Sequence, residues 1–138
     1  MFKVFALASI MAVLATAPAF AQACAEPIPP QTPNGATATQ QQIQEATQDV
    51  KLFIKQSDDY GDCLIGDLKA QQARAVKEKK QLDQSVADAV QAKLDDVQRM
   101  KIKVGGELNA AVRGFCQRNP TVQGCDKVLN PPQTSGQQ

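Results

Sequence analysis

The stretch Asp58-Asp59-Tyr60-Gly61-Asp62-Cys63-Leu64-Ile65-Gly66-Asp67-Leu68 carries a cysteine, two glycines and the only tyrosine of a 138-residue chain. It lies in a segment that otherwise favours helix. Cys63 and Gly66 are three residues apart and therefore share one face of that helix. A glycine costs a helix about 1 kcal/mol relative to alanine, so Gly66 beside Cys63 predicts that another backbone segment docks on this face. The alternative is a glycine that is merely tolerated on a solvated helix.

An apolar stripe with a period of about 3.5 residues runs through this stretch and predicts one long amphipathic helix. The helix is expected to begin at Thr39, because Thr39-x-x-Gln42 has the form of a capping box. The stripe consists of Ile43, Ala46, Val50, Phe53, Ser57, Tyr60, Leu64, Leu68 and Ala75.

The stripe is lost between Lys77 and Asp83, which predicts a polar turn and then a second helix capped by Asp83 or Ser85. This helix is expected to end before Pro120, since a residue that precedes proline avoids the helical region. The tail, residues 130–138, has a composition typical of disorder. The stripe of the second helix consists of Val86, Val90, Leu94, Val97, Met100 or Lys101, Val104, Leu108, Val112 and Phe115.

Two long helices joined by a short turn predict an all-α fold, a long antiparallel two-helix hairpin that forms the domain of residues 39–129. Matching the two stripes places Val50 beside Val112 and Leu68 beside Leu94. The same register predicts ion pairs between the helices. These are Lys55 with Glu107, Arg74 with Asp88, and Asp59 and Asp62 with Arg99, Lys101 and Lys103.

A proline-rich strap precedes the hairpin at residues 22–38. Its four prolines exclude a helix interior and favour an extended, polyproline-like chain. The pair Asn34-Gly35 predicts a turn that reverses the strap before the first helix.

The strap is long enough to carry Cys24 to Cys63. Between Cys24 and Thr39 an extended chain covers about 50 Å, whereas the helix from Thr39 to Cys63 covers only about 36 Å. A disulfide between these cysteines would clamp the strap lengthwise along the hairpin, with Gly66 clearing the face on which it lies.

The two remaining cysteines, Cys116 and Cys125, are expected to pair locally. Pro120 stops the second helix and Gly124 allows the chain to fold back. A zinc site formed by the four cysteines is disfavoured, because the chain has no Cys-x-x-Cys pair and no histidine.

Residues 1–21 have the features of an export signal, an apolar run that ends in the small-x-small sequence Ala19-Phe20-Ala21. Cleavage after Ala21 leaves 117 residues with 14 basic and 14 acidic side chains and a formal charge of zero. The protein is therefore expected to be periplasmic or secreted, without a stable membrane anchor. Cleavage after Ala23, with a lipid-modified Cys24, and an uncleaved transmembrane helix are the alternatives.

The composition argues against nucleic-acid binding and conventional catalysis. A zero net charge provides no basic face for a nucleic acid, and without histidine neither a serine nor a cysteine has its usual base. The sequence therefore assigns no catalytic, cofactor or metal residues. One group of carboxylates is interpreted as salt pairing with the second helix, since it lacks the spacing of a calcium loop. The group is Asp58, Asp59, Asp62 and Asp67.

Three segments together resemble small exported bacterial helical proteins of unassigned function. They are Cys24-Ala-Glu-Pro-Ile-Pro-Pro, Gly35-Ala-Thr-Ala-Thr39 and Asp59-Tyr60-x-x-Cys63-Leu64. The resemblance covers most of the exported chain and implies no activity. It implies a pairing of the first two cysteines, to which Cys116 and Cys125 are an addition.

The sequence thus predicts a non-catalytic exported structural or protein-binding hairpin with an unidentified protein partner. The narrow core leaves open a homodimer in the form of a four-helix bundle. The alternative function is an envelope-associated stress or chaperone-like helper. An apolar cradle of that kind is not expected from the outer positions, which are polar. They include Gln41, Gln44, Gln48, Lys51, Gln71 and Gln91.

Overall fold

A computed structural model describes residues 24–131, and all the regular secondary structure of these residues is α-helical. It contains α1 (Gln40–Lys77), α2 (Gln84–Arg118) and the short α3 (Cys125–Leu129). The export signal predicted at residues 1–21 lies outside the described residues, as does nearly all of the predicted disordered tail.

Side chains at the ends of α1 and α2 explain why the helices begin where they do. The backbone N–H of Gln42 donates to the Thr39 hydroxyl at 3.2 Å, and the N–H of Thr39 donates to the Gln42 side chain at 2.9 Å. The predicted capping box is therefore present. Of the two candidates for the second cap, Asp83 is the one used, and its carboxylate accepts from the N–H of Ser85 at 3.0 Å.

The two long helices pack together as a helical hairpin with three separate core clusters. The base cluster also includes α3, which the sequence did not predict. Its buried members are Ala38, Ile43, Ala111, Phe115, Cys116 and Cys125. The middle cluster is formed by Val50, Phe53 and Val104, and the upper cluster by Tyr60, Leu64 and Val97.

At Val50 the pairing of the helices differs from the predicted register by about one turn. Val50 packs with Val104 and Leu108, while its predicted partner Val112 belongs to the base cluster. Leu94 lies against the open face of Gly61, where an added Cβ would be 3.4 Å from its Cδ2. The predicted register was obtained by matching the two apolar stripes and the charges, which does not show the space that Gly61 leaves for Leu94.

The backbone at Gly35 lies very close to the backbone of Ala111. A Cβ on Gly35 would overlap the backbone carbonyl of Ala111, and a Cβ on Gly114 would lie 3.3 Å from the carbonyl carbon of Gly35. A Cβ on Gly66 would have nothing within 4 Å. The prediction that another segment docks over Gly66 was therefore wrong, and the glycines that permit the close approach are Gly35 and Gly114.

Hydrogen bonds hold the N-terminal segment, residues 24–38, at this crossing. The guanidinium of Arg118 donates to the carbonyls of Gly35 and Ala38 at 3.1 and 3.0 Å. The side chain of Asn34 accepts from the N–H of Ala36 at 2.9 Å and stabilises the predicted turn. The role of Arg118 was not predictable from the sequence, because a basic residue in the last helical turn has no obvious partner until the fold is known.

Both expected disulfides are present. Cys24 is bonded to Cys63 with their Cα atoms 5.8 Å apart, and Cys116 to Cys125 with their Cα atoms 5.1 Å apart. Cys24 packs against the upper cluster, and Cys116 and Cys125 are buried in the base cluster. The bonds therefore secure the N-terminal segment at the upper cluster and α3 at the base.

We expect Gly35→Ala to lower the free energy of unfolding by about 2 kcal/mol or more, because the new methyl group overlaps a backbone carbonyl. Gly66→Ala is the matched control and should stabilise the protein by about 0.5 to 1 kcal/mol, since it improves helix propensity in open space. Urea unfolding followed by circular dichroism measures both. Equal effects of the two substitutions would contradict the assignment of the crossing.

We expect Cys63→Ser to destabilise the protein by roughly 2 to 4 kcal/mol while α1 and α2 remain helical, because the unfolded chain loses a covalent loop. Thermal melts and far-ultraviolet circular dichroism test both parts. The double variant Cys24→Ser/Cys63→Ser controls for mispairing of the freed thiol. Melting at the parental temperature would show that this bond contributes nothing to stability.

Candidate functional site

The predicted acidic group does not form a single site. Asp58 accepts from the Lys101 ammonium of α2 at 2.5 Å, whereas Asp59 pairs with Lys55 of its own helix at 2.6 Å. Asp67 accepts from the amide of Gln71 at 3.5 Å. In residues 24–131 no group of three or more Asp, Glu, Cys or His side chains is placed to hold a metal ion.

Fewer ion pairs therefore join the two helices than the sequence predicted. Within the described chain, only Asp58–Lys101 joins α1 to α2. Of the other predicted donors, Arg99 pairs with Asp96 and Lys103 with Glu107, both within α2. Lys55 pairs with Asp59 of its own helix instead of Glu107, and no ion pair of the described chain joins Arg74 to Asp88. The one-turn difference in register accounts for this, because it brings Lys101 to Asp58 instead of Asp59 or Asp62.

The Asp58–Lys101 pair borders a groove of about 370 Å³ that also contains the hydroxyl of Ser57. Ser57 is only 2% exposed and donates to the carbonyl of Phe53 at 2.8 Å. A hydroxyl bonded to its own helix, with no basic nitrogen other than an ion-paired lysine beside it, is not arranged as an activated nucleophile. The residues that line the groove form no recognisable catalytic arrangement.

Two titrating groups have shifted pKa values, and both shifts have local causes. The hydrogen bond and the charge of Asp59 raise the pKa of Lys55, and the N–H of Ser85 lowers the pKa of Asp83. Both side chains are on the surface and stabilise helix structure. Neither shift indicates a reactive group.

A small apolar pocket lies at the base of the hairpin. It has a volume of about 230 Å³ and is enclosed by the start of α1, the end of α2 and α3. This volume is below the usual range for ligand sites. Its apolar lining residues are Ile43, Val112, Phe115, Val122 and Val128.

The region beyond the upper cluster differs from the rest of the hairpin. No residue from Ile65 to Asp96 is buried, although the apolar stripes continue. Within the described residues, the N-terminal segment reaches α1 no farther than the Cys24–Cys63 bond. Of the apolar side chains here, Ile65 and Val76 are 38% and 74% exposed. Four alanines are also exposed, Ala70, Ala73, Ala89 and Ala92, and the remaining apolar side chains are half-buried. The half-buried ones include Leu68, Ala75, Leu82, Val86 and Val90.

The same region separates charge between its two sides. We call residues 66–80 the basic arm and residues 81–96 the acidic arm. The basic arm has five cations and two carboxylates, and the acidic arm has four carboxylates and one cation, so their formal charges are +3 and −3. No ion pair of the described chain connects the two arms. This charge separation is visible in the sequence. The fold adds that the two oppositely charged arms belong to helices that pack together.

Exposed apolar residues elsewhere are scattered. On α1, Leu52, Ile65 and Val76 are 55%, 38% and 74% exposed, and their spacings of 13 and 11 residues correspond to about 20 and 17 Å of helix. Ile28 and Ile102 are exposed on other segments. Single exposed apolar residues are normal on protein surfaces. These exposed residues of the described chain are too far apart to form one continuous apolar surface.

Comparisons with protein-family models, curated proteins and solved structures find no match to this chain. Among residues 24–131, no helix combines the length and the apolar character needed to cross a bilayer.

We expect Asp83→Ala to lower the urea midpoint at pH 7, because α2 loses its N-terminal cap. The pKa of Asp83 is lowered in the folded protein, so its contribution is present above the unfolded value of about 3.9 and is lost as the pH falls through the lower folded value. The difference between variant and parent should therefore shrink in acid.

Urea midpoints measured from pH 7 down to about pH 3 test this dependence. Asp83→Ser is the matched control, because a serine hydroxyl caps a helix at either pH. A difference between the alanine variant and the parent that stays constant over this range would contradict the role of the carboxylate.

Proposed function

We propose that this protein is a non-catalytic exported hairpin that binds another protein through its basic and acidic arms. The single observation that carries the proposal is the absence of any buried residue from Ile65 to Asp96. Apolar side chains continue along both helices there, so a third layer supplied by a partner would complete their burial.

The proposal includes an antiparallel arrangement of α1 and α2 with the proline-rich strap, residues 22–38, clamped along them. The order of the contacting residues supports the antiparallel arrangement. Ile43 clusters with Phe115, whereas Tyr60, farther along α1, clusters with Val97, which is earlier in α2. The contacts of Gly35 with α2 and the Cys24–Cys63 bond support the clamping of the strap.

Export is supported by the cysteine chemistry. The described chain contains two disulfides and no free cysteine. Bonds of this kind form and persist in oxidising compartments such as the bacterial periplasm. This agrees with the export signal expected at residues 1–21.

Protein binding by the arms follows from the packing of helices. A two-helix layer can cover only one side of each apolar stripe, whereas a four-helix or helix-in-groove arrangement covers both. Burial of apolar surface contributes about 25 cal/mol per Å², so Leu68, Val76 and Val86 would each add to binding. At the end of the hairpin that contains the base cluster, residues 24–38 and α3 already cover the two helices as a third layer.

Site-specific photo-crosslinking in the exporting cell tests the proposal. A photoreactive amino acid at Val76 or Ala89, both exposed on the arms, should give a discrete crosslinked product of higher mass. Gln48, which is exposed on the base half, is the control position and should give none. Absence of a product at both arm positions, or equal products at all three, would contradict binding through the arms.

A further inference from the structure

We infer that the partner of the two arms is a second copy of this chain, docked so that each basic arm lies on the acidic arm of the other copy. This inference rests on the proposed function, because it assigns the occupant of the same surface. It is carried by the charge distribution of residues 66–96.

The arms are complementary to each other in sign and size. The formal charges of +3 on residues 66–80 and −3 on residues 81–96 cancel, so the surface can pair with itself. Except for the half-buried Asp67, the charged residues of both arms are exposed. Those without an ion pair in the described chain include Lys69, Arg74, Lys77, Asp88 and Asp95. Complementary charges of this kind select the partner and its orientation.

Symmetry then fixes the geometry of the pair. Most homodimers have a two-fold axis, and two such axes can stack one hairpin on another. An axis parallel to the helices lays each basic arm on the partner's acidic arm. An axis perpendicular to the helices lays basic on basic and acidic on acidic, which is repulsive. The charges therefore select the first arrangement, with both hairpin tips pointing in the same direction.

The apolar residues of the arms provide the centre of this interface. In the monomer Val76 is 74% exposed, while Leu68, Ala75, Val86 and Val90 are half-buried. Stacking two copies surrounds these side chains with four helices, as in a four-helix bundle. The charged residues then form a polar rim, the usual anatomy of a protein interface.

The length of the arms sets the strength of association. From Gly66 to the end of α1 at Lys77 there are 12 residues, or about 18 Å of helix. An interface this short belongs to the small, reversible class, so we expect a concentration-dependent dimer with a dissociation constant on the order of micromolar. Its charged rim makes it weaker at high salt.

Charge-swap variants test the arrangement. Arg74→Glu/Lys77→Glu makes both arms acidic, and Asp88→Lys/Asp95→Lys makes both arms net basic. Each variant alone should associate at least about tenfold more weakly than the parent, while an equimolar mixture should form a heterodimer. Sedimentation of the purified chain with both disulfides intact, from about 5 to 500 µM, measures association. Circular dichroism melts confirm that each variant is folded.

Val76→Asp tests the apolar centre independently of the rim charges. Because Val76 is exposed in the monomer, the substitution should reduce dimerisation without lowering monomer stability. A parent chain that remains monomeric throughout the concentration range would overturn the inference, as would a dimer insensitive to both the charge variants and Val76→Asp.

The mass of the product crosslinked through Val76 separates this inference from the proposed function. Twice the mass of the chain supports a second copy. A discrete product that contains a different protein overturns the homodimer but preserves binding through the arms. No product at either arm position overturns both.

Discussion

The structure depends on the place where the backbone at Gly35 crosses α2. The missing side chain of Gly35 allows contact with the backbone of Ala111, and Arg118 then bonds two carbonyls of the crossing segment. From this point the N-terminal segment runs to its disulfide at Cys63, so one end is held by hydrogen bonds and the other covalently. The buried α1 residues of the three core clusters run from Ile43 to Leu64, and no residue of α1 beyond Leu64 is buried.

Local features of the fold could be predicted from the sequence because they depend on residues close together in the chain. The capping box of Thr39 and Gln42 and the bond between Cys116 and Cys125 are of this kind. The Cys24–Cys63 bond was also predictable, because it needs only a chain long enough to reach.

Register and close approach were not predictable, for a physical reason. Two stripes with nearly the same period match almost equally well after a shift of one turn, and a small gap such as that at Gly61 decides between them. A glycine likewise shows that space is available but not what occupies it. From the sequence alone, Gly66 and Gly35 are equally good candidates for a close backbone contact, and only the fold shows that the contact is at Gly35. The opposite charges of the two arms are visible in the sequence. That they can complement each other becomes clear only when the fold places the two arms on neighbouring helices.

The Cys24–Cys63 bond also determines how the protein transmits force. Tension applied at the N-terminus enters through Cys24 and passes directly to Cys63, within the upper half of α1. Residues 25–62 form a closed covalent loop that remains slack under this load. The first half of α1, its capping box and the crossing at Gly35 are therefore shielded from pulling on the N-terminal side. If a neighbouring molecule pulled on this end, the tension would pass first to the part of α1 that follows Cys63, which includes the basic arm.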